Sequence, residues 1–144
     1  MIPPAALLLG LAGVLPFAWG ALSTWFPGLA PGWLPQRLAG PYVQVFYGSV
    51  ILSFMSGVLW GFATRAKGRA AAIGYAVSVI PALWVAFLVG GGWERSSLVL
   101  IAGFIGLLAL DAGFAKRGLA PGWWLRLRLL LTGLVVVCLA LPLA

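Results

Sequence analysis

The sequence predicts an all-α integral membrane protein, a single bundle of five transmembrane helices over residues 1–144. Three observations predict it. Of the 144 residues, 63% are hydrophobic and only 8% are charged, a balance that a soluble core of this size cannot hide and a bilayer accepts. The apolar residues fall into five runs, 4–26, 42–64, 70–89, 96–114 and 124–143, each near the roughly 20 residues that cross a hydrocarbon layer as a helix. The basic residues are unevenly divided between the connectors: Arg65, Lys67, Arg69, Lys116, Arg117, Arg126 and Arg128 on one side, Arg37 and Arg95 on the other. Positive residues resist translocation, so this split predicts a cytoplasmic N-terminus and a periplasmic C-terminus in a bacterial inner membrane.

The first span begins at Pro3–Pro4, where a missing N–H costs little, and carries Gly10, Gly13, Pro16 and Gly20, which predict close packing and a kink. No basic residue precedes it and it is long for a signal peptide, so it is expected to remain as a span. Trp25 and Phe26 close it at the level of an interfacial aromatic belt. In the connector from Pro27 to Pro41, Pro31 and Pro35 rule out a regular helix, and Trp33 with Leu29 and Leu34 holds it in the headgroup layer. After the second span, the RAKGR run from Arg65 to Arg69 turns the chain into a third span interrupted by Pro81. That proline removes a backbone hydrogen bond, which a neighbouring helix or Ser78 must offset. The turn Gly90–Arg95 leads to the fourth span, and Lys116, Arg117, Trp123 and Trp124 mark the entrance to the fifth. The hexapeptide GLAPGW occurs at Gly28–Trp33 and again at Gly118–Trp123, which reads either as two similar interfacial turns or as the trace of an inverted repeat.

The second span has the most distinctive pattern. Ser49, Ser53, Gly57 and Gly61 recur every fourth residue, with Ser56, Trp60 and Thr64 on the adjoining row. Residues four apart lie nearly above one another, so Ser49, Ser53, Ser56, Gly57, Trp60 and Gly61 are expected to form a helix-packing face. Their hydroxyls are better explained by helix contacts and i−4 carbonyl bonds than by catalysis, because no acid or lysine lies beside them.

Chemistry is limited by what the chain lacks. It has no histidine, which removes the commonest general base and metal ligand, and its one cysteine, Cys138, forms neither a disulfide frame nor a thiolate cluster. The two carboxylates, Glu94 and Asp111, belong to opposite ends of the fourth span and cannot share a site. No catalytic residue and no metal site are predicted. Asp111 inside an apolar helix is costly unless paired. Arg126 and Arg128 lie on the same side, and since residues two apart diverge by about 200°, one should pair with Asp111 and the other reach lipid phosphate. A proton or ion relay through Asp111 is the sharper alternative. Arg65, Lys67, Arg69, Lys116 and Arg117 are expected to bind anionic headgroups; nucleic acid is not an expected partner.

The segment Tyr47–Gly61, together with Asp111, the run Gly118–Thr132 and the opening Pro3–Phe17, resembles the small membrane proteins of the transmembrane protein 69-like family, a domain of unknown function found in proteobacteria and mitochondria. The resemblance covers nearly the whole chain. The family's pattern places a histidine before the tryptophan of a Gly-x-His-Trp-Gly turn; here Leu59 stands before Trp60. The shared part therefore reduces to helix packing and the Asp–Arg pair, and the resemblance implies an energy-converting membrane but no reaction. Three function classes are in play: a non-catalytic accessory or assembly subunit packing on a membrane-protein partner in an energy-converting complex or on its own copy, a small carrier or channel lined by the Ser/Gly face, and, third, an enzyme acting on lipid or quinone. No cofactor is required; the apolar surface leaves room for a bound phospholipid or quinone.

Overall fold

Proline and glycine set where the helices start, break and stop. A computed structural model describes residues 1–144 and contains seven α-helices, α1 (Pro4–Ala12), α2 (Leu15–Trp25), α3 (Gly40–Ala63), α4 (Gly68–Ser78), α5 (Ile80–Leu88), α6 (Trp93–Lys116) and α7 (Trp124–Ala140). They make five stretches long and apolar enough to cross a membrane: Pro4–Trp25, Gly40–Ala63, Gly68–Leu88, Trp93–Lys116 and Trp124–Leu143. The first and third spans are each two helices. Pro16 and Pro81 take the second positions of α2 and α5, where a proline fits a helix start, so the breaks fall just before them, at Gly13–Val14 and Val79. The first connector forms two short 3-10 turns, Pro27–Leu29 and Gln36–Leu38, and ends at Ala39 rather than at Pro41, because Gly40 and Pro41 already belong to α3.

Only 30 of the 144 residues are buried, while Leu8, Val50, Phe54, Phe87, Leu129 and Val137 stand exposed around the outside. Such a surface needs lipid. The chain is a multi-pass membrane protein. Its centre is α3, which packs against α2, α4, α5 and α6, and α7 closes the bundle against α6 and α2. The core where α3 and α6 cross is Leu52, Met55 and Leu59 against Leu100, Phe104 and Leu107, with Leu139 of α7.

Backbone groups at helix breaks and ends are claimed by side chains of other helices. Ser56 Oγ on α3 accepts the Ala82 N–H at 2.8 Å, an orphan donor in the first turn of α5. Gln44 Nε2 donates to Cys138 O at 2.7 Å, a carbonyl whose helical partner would be the absent N–H of Pro142, and to Phe17 O at 2.8 Å. Ser78 instead donates to Tyr75 O within its own helix. Ser56→Ala is therefore expected to cost about 1 kcal/mol, the scale of an interhelical hydrogen bond in a membrane, read as a lower denaturant midpoint in micelles.

Several sequence expectations are corrected here. The fourth span begins at Trp93, so Glu94 and Arg95 lie in the first turn of α6 rather than in a connector. Arg95 Nη1 there donates to Leu88 O and Gly90 O, holding the end of α5. The two GLAPGW copies differ in backbone: Gly118 has φ +70° and Gly28 is not in the left-handed region. Gly118 closes α6 as a Schellman turn, with Leu119 N–H donating to Phe114 O and Gly118 N–H to Ala115 O.

The small-residue row of α3 also divides. Ser56 is buried, and the Trp60 ring meets that of Tyr75 of α4 at a tilt of 41° with centroids 4.6 Å apart. Gly57 and Gly61, however, have no atom within 4 Å of where a Cβ would stand, so they pack on no helix of this chain. Ser49 and Ser53 are half-buried and line an open groove. The reason is helical drift: each step of four residues advances about 40° beyond a full turn, so three steps swing the row by roughly 120°. The inward seam runs instead through Gly48, Leu52, Met55, Leu59 and Ala63.

Candidate functional site

The buried face of α6 reads Leu100, Phe104, Leu107, Asp111 and Phe114, and that of α7 reads Arg128, Thr132, Val135 and Leu139. Spacings of three and four keep each set on one face, so the polar residues are placed in the seam between the two helices. Asp111 is wholly buried and Arg128 is 6% exposed. Arg128 Nε donates to Asp111 Oδ2 at 2.9 Å, and Trp124 Nε1, one turn earlier on α7, donates to Oδ1 at 2.8 Å. Both carboxylate oxygens are thereby engaged, which offsets the desolvation of the charge. The Trp124 ring meets Phe62 of α3 edge to face at 5.1 Å, which fixes the indole.

Arg128 is the arginine that pairs. Arg126 is exposed and makes no ion pair with the carboxylate, and the headgroup-binding candidates Arg65, Lys67, Arg69, Lys116 and Arg117 are exposed as well. These cations share one end of the bundle, where Arg65 Nη1 also donates to Leu119 O at 3.2 Å. Sequence reasoning missed Trp124 and Thr132. The signal was available: both stand one turn from Arg128, so the three form a single row.

A second feature is an open groove of about 850 Å³ on the outer side of α3. Ser49 and Ser53 of α3, Val85 of α5, Trp93 of α6, and Gln36 and Arg37 of the first connector are among its lining residues. Ser49 Oγ donates to Val45 O in its own helix, so its hydroxyl is satisfied without a ligand. No group of three or more carboxylate or thiol side chains gathers as a metal centre.

Comparison with known proteins bears on this arrangement. The family described as protein of unknown function (DUF3429) matches residues 2–144. The chain belongs to that family. This DUF3429 chain is also 34% identical over 146 residues to transmembrane protein 69 of Xenopus tropicalis, an alignment covering 95% of the chain and 53% of the relative. It thus spans about half the length of that curated relative. No solved structure matches. In this DUF3429 chain Leu59 is fully buried against the α6 core, and the residue before Trp60 supplies packing.

Proposed function

We propose that this DUF3429 protein is a non-catalytic accessory or assembly subunit of the bacterial inner membrane, acting by packing against another membrane protein. The observation that carries the reading is the outward half of the α3 row. Gly57 and Gly61 leave bare backbone at the surface, and Ser49 and Ser53 of the same helix line the open groove. Small residues allow close helix approach, which is how helices associate where no hydrophobic driving force separates protein from lipid. A carrier is less well supported, since Leu52, Leu59, Leu100 and Leu107 fill the bundle centre and no small-residue face lines a path through it. The basic end, with Arg65, Lys67, Arg69, Lys116 and Arg117, faces the cytoplasm and its anionic headgroups in this reading, as does the N-terminus.

Purification in mild detergent is expected to retain a stoichiometric membrane partner or a second copy of the chain. Gly57→Leu, which adds bulk to an open surface, should release it without lowering the thermal midpoint of the isolated chain. A C-terminal tag in the same strain should be reachable from outside spheroplasts. Wild-type protein that purifies alone, or that keeps its partner after Gly57→Leu, contradicts the reading.

A further inference from the structure

The open groove of about 850 Å³ reaches only halfway along α3, from Tyr42 to Ser53. Those eleven steps rise about 16 Å, close to half the thickness of a hydrocarbon core of about 30 Å. The groove therefore serves one leaflet. A partner helix that crosses the whole membrane needs a track along all of α3, yet Gly57 and Gly61, further down the helix, take no part in the lining. A single lipid has the matching reach.

Polar and apolar lining residues are sorted along that length. Gln36 and Arg37 precede α3, Tyr42 lies in its first turn and Trp93 opens α6, so all four belong to the same end of the bundle, where aromatic side chains meet headgroups. Gln36, Arg37 and Tyr42 are exposed, and their polar atoms can be reached. Val45, Phe46 and Val50 of α3 and Val85 of α5 line the remainder. Phe46 and Val50 also stand exposed, so a hydrocarbon chain can enter sideways from the bilayer.

Charge selects the head. Arg37 has no counter-ion in the protein, whose one ion pair joins Asp111 to Arg128. No carboxylate lines the groove, and Glu94, although next to Trp93, stands outside the lining. A phosphodiester placed here meets an unopposed guanidinium, a pairing that is strong and often bidentate. An ammonium head would bring a like charge beside Arg37 with no acid to receive it. A head of uncharged hydroxyls avoids that repulsion, and the Gln36 amide and the Tyr42 hydroxyl can bond to it.

We propose that this groove binds one anionic phospholipid with a glycerol head, its phosphate on Arg37 and one acyl chain along Val45, Val50 and Val85. The lipid covers Ser49 and Ser53 and leaves Gly57 and Gly61 bare. The site therefore does not rest on the docking role of those glycines.

The test uses the full chain in dodecylmaltoside micelles, titrated separately with palmitoyl-oleoyl-phosphatidylglycerol and palmitoyl-oleoyl-phosphatidylethanolamine, with bound lipid counted per chain by native mass spectrometry. Arg37 lies in an exposed connector, so Arg37→Gln leaves the helices untouched. In this variant one phosphatidylglycerol per chain should bind roughly tenfold more weakly, by loss of a charge-assisted hydrogen bond. Lipids held by the cations at the other end of the bundle should be equal in both proteins. Ser49→Trp, which fills the groove, should lose the same lipid, and Arg37→Gln carries the test alone should that variant not fold. With phosphatidylethanolamine, wild type and Arg37→Gln should bind equal numbers. The proposal is overturned if Arg37→Gln binds phosphatidylglycerol like the wild type, or if it loses phosphatidylethanolamine to the same extent. It is also overturned if the groove holds protein, seen as a second copy or another chain that Ser49→Trp releases while the lipid count stays unchanged. A Gly57→Leu protein that keeps its partner while the Arg37→Gln difference persists counts against the docking role alone.

Discussion

Asp111→Ala is expected to destabilise the protein by about 3–5 kcal/mol, because it strands a buried guanidinium with no counter-charge. Arg128 is 6% exposed and its only charged partner is Asp111. Removing the carboxylate also leaves the Trp124 indole N–H without its acceptor. Asp111→Asn keeps an acceptor for that N–H while losing the charge, so it should fall between wild type and Asp111→Ala. The double change Asp111→Leu with Arg128→Met should recover most of the loss, since a well-packed apolar pair replaces a buried ion pair at little net cost. Denaturant unfolding in micelles gives all four values. A loss under about 1 kcal/mol for Asp111→Ala would show the guanidinium escaping to the nearby interface, as long cationic side chains near helix ends do.

Gly20→Val should have the next largest effect, about 1–3 kcal/mol and more if α2 cannot move. A Cβ there would stand 2.8 Å from the backbone oxygen of Gly40 and 3.0 Å from Val43 Cγ1, and would also meet Gln44 Cγ. Backbone cannot swing aside as a side-chain tip does. Separating α2 from α3 would also strain the bond from Gly40 N–H to Ser23 Oγ and the one from Gln44 to Phe17 O. Gly57→Val serves as the control. A Cβ there meets nothing within 4 Å, and the midpoint should match the wild type. Equal effects of the two changes in micelles would remove the distinction between inward and outward glycines.

That distinction marks where sequence reading stopped. The four-residue row through Gly57 and Gly61 was conspicuous, yet the close approaches within the bundle are at Gly10 and Gly20, in the span whose glycines predict close packing, and at Gly48, Gly74 and Gly103, which share no such row. Gly103 is the clearest example. A Cβ on it would lie 2.9 Å from the Trp84 indole nitrogen, which donates to Val99 O one turn away. Nothing local to Gly103 announces a tryptophan arriving from α5. Gln44 is similar, since its role depends on Pro142 at the far end of the chain.

The sequence by itself determined the five stretches long and apolar enough to cross a membrane, the interruptions at Pro16 and Pro81, the gathering of basic residues on alternate connectors, and the need of Asp111 for a partner. Each follows from properties carried by single residues or short runs: apolar length, a missing N–H, a charge in lipid. Only the tertiary structure decided which face of each helix turns inward, and that Arg128 rather than Arg126 meets Asp111 with Trp124 beside it. In a soluble protein the alternation of polar and apolar residues would have pointed each helix towards its core. Here lipid and core are equally apolar, so orientation is set by shape and by a few polar bonds, and those exist only once the helices have met.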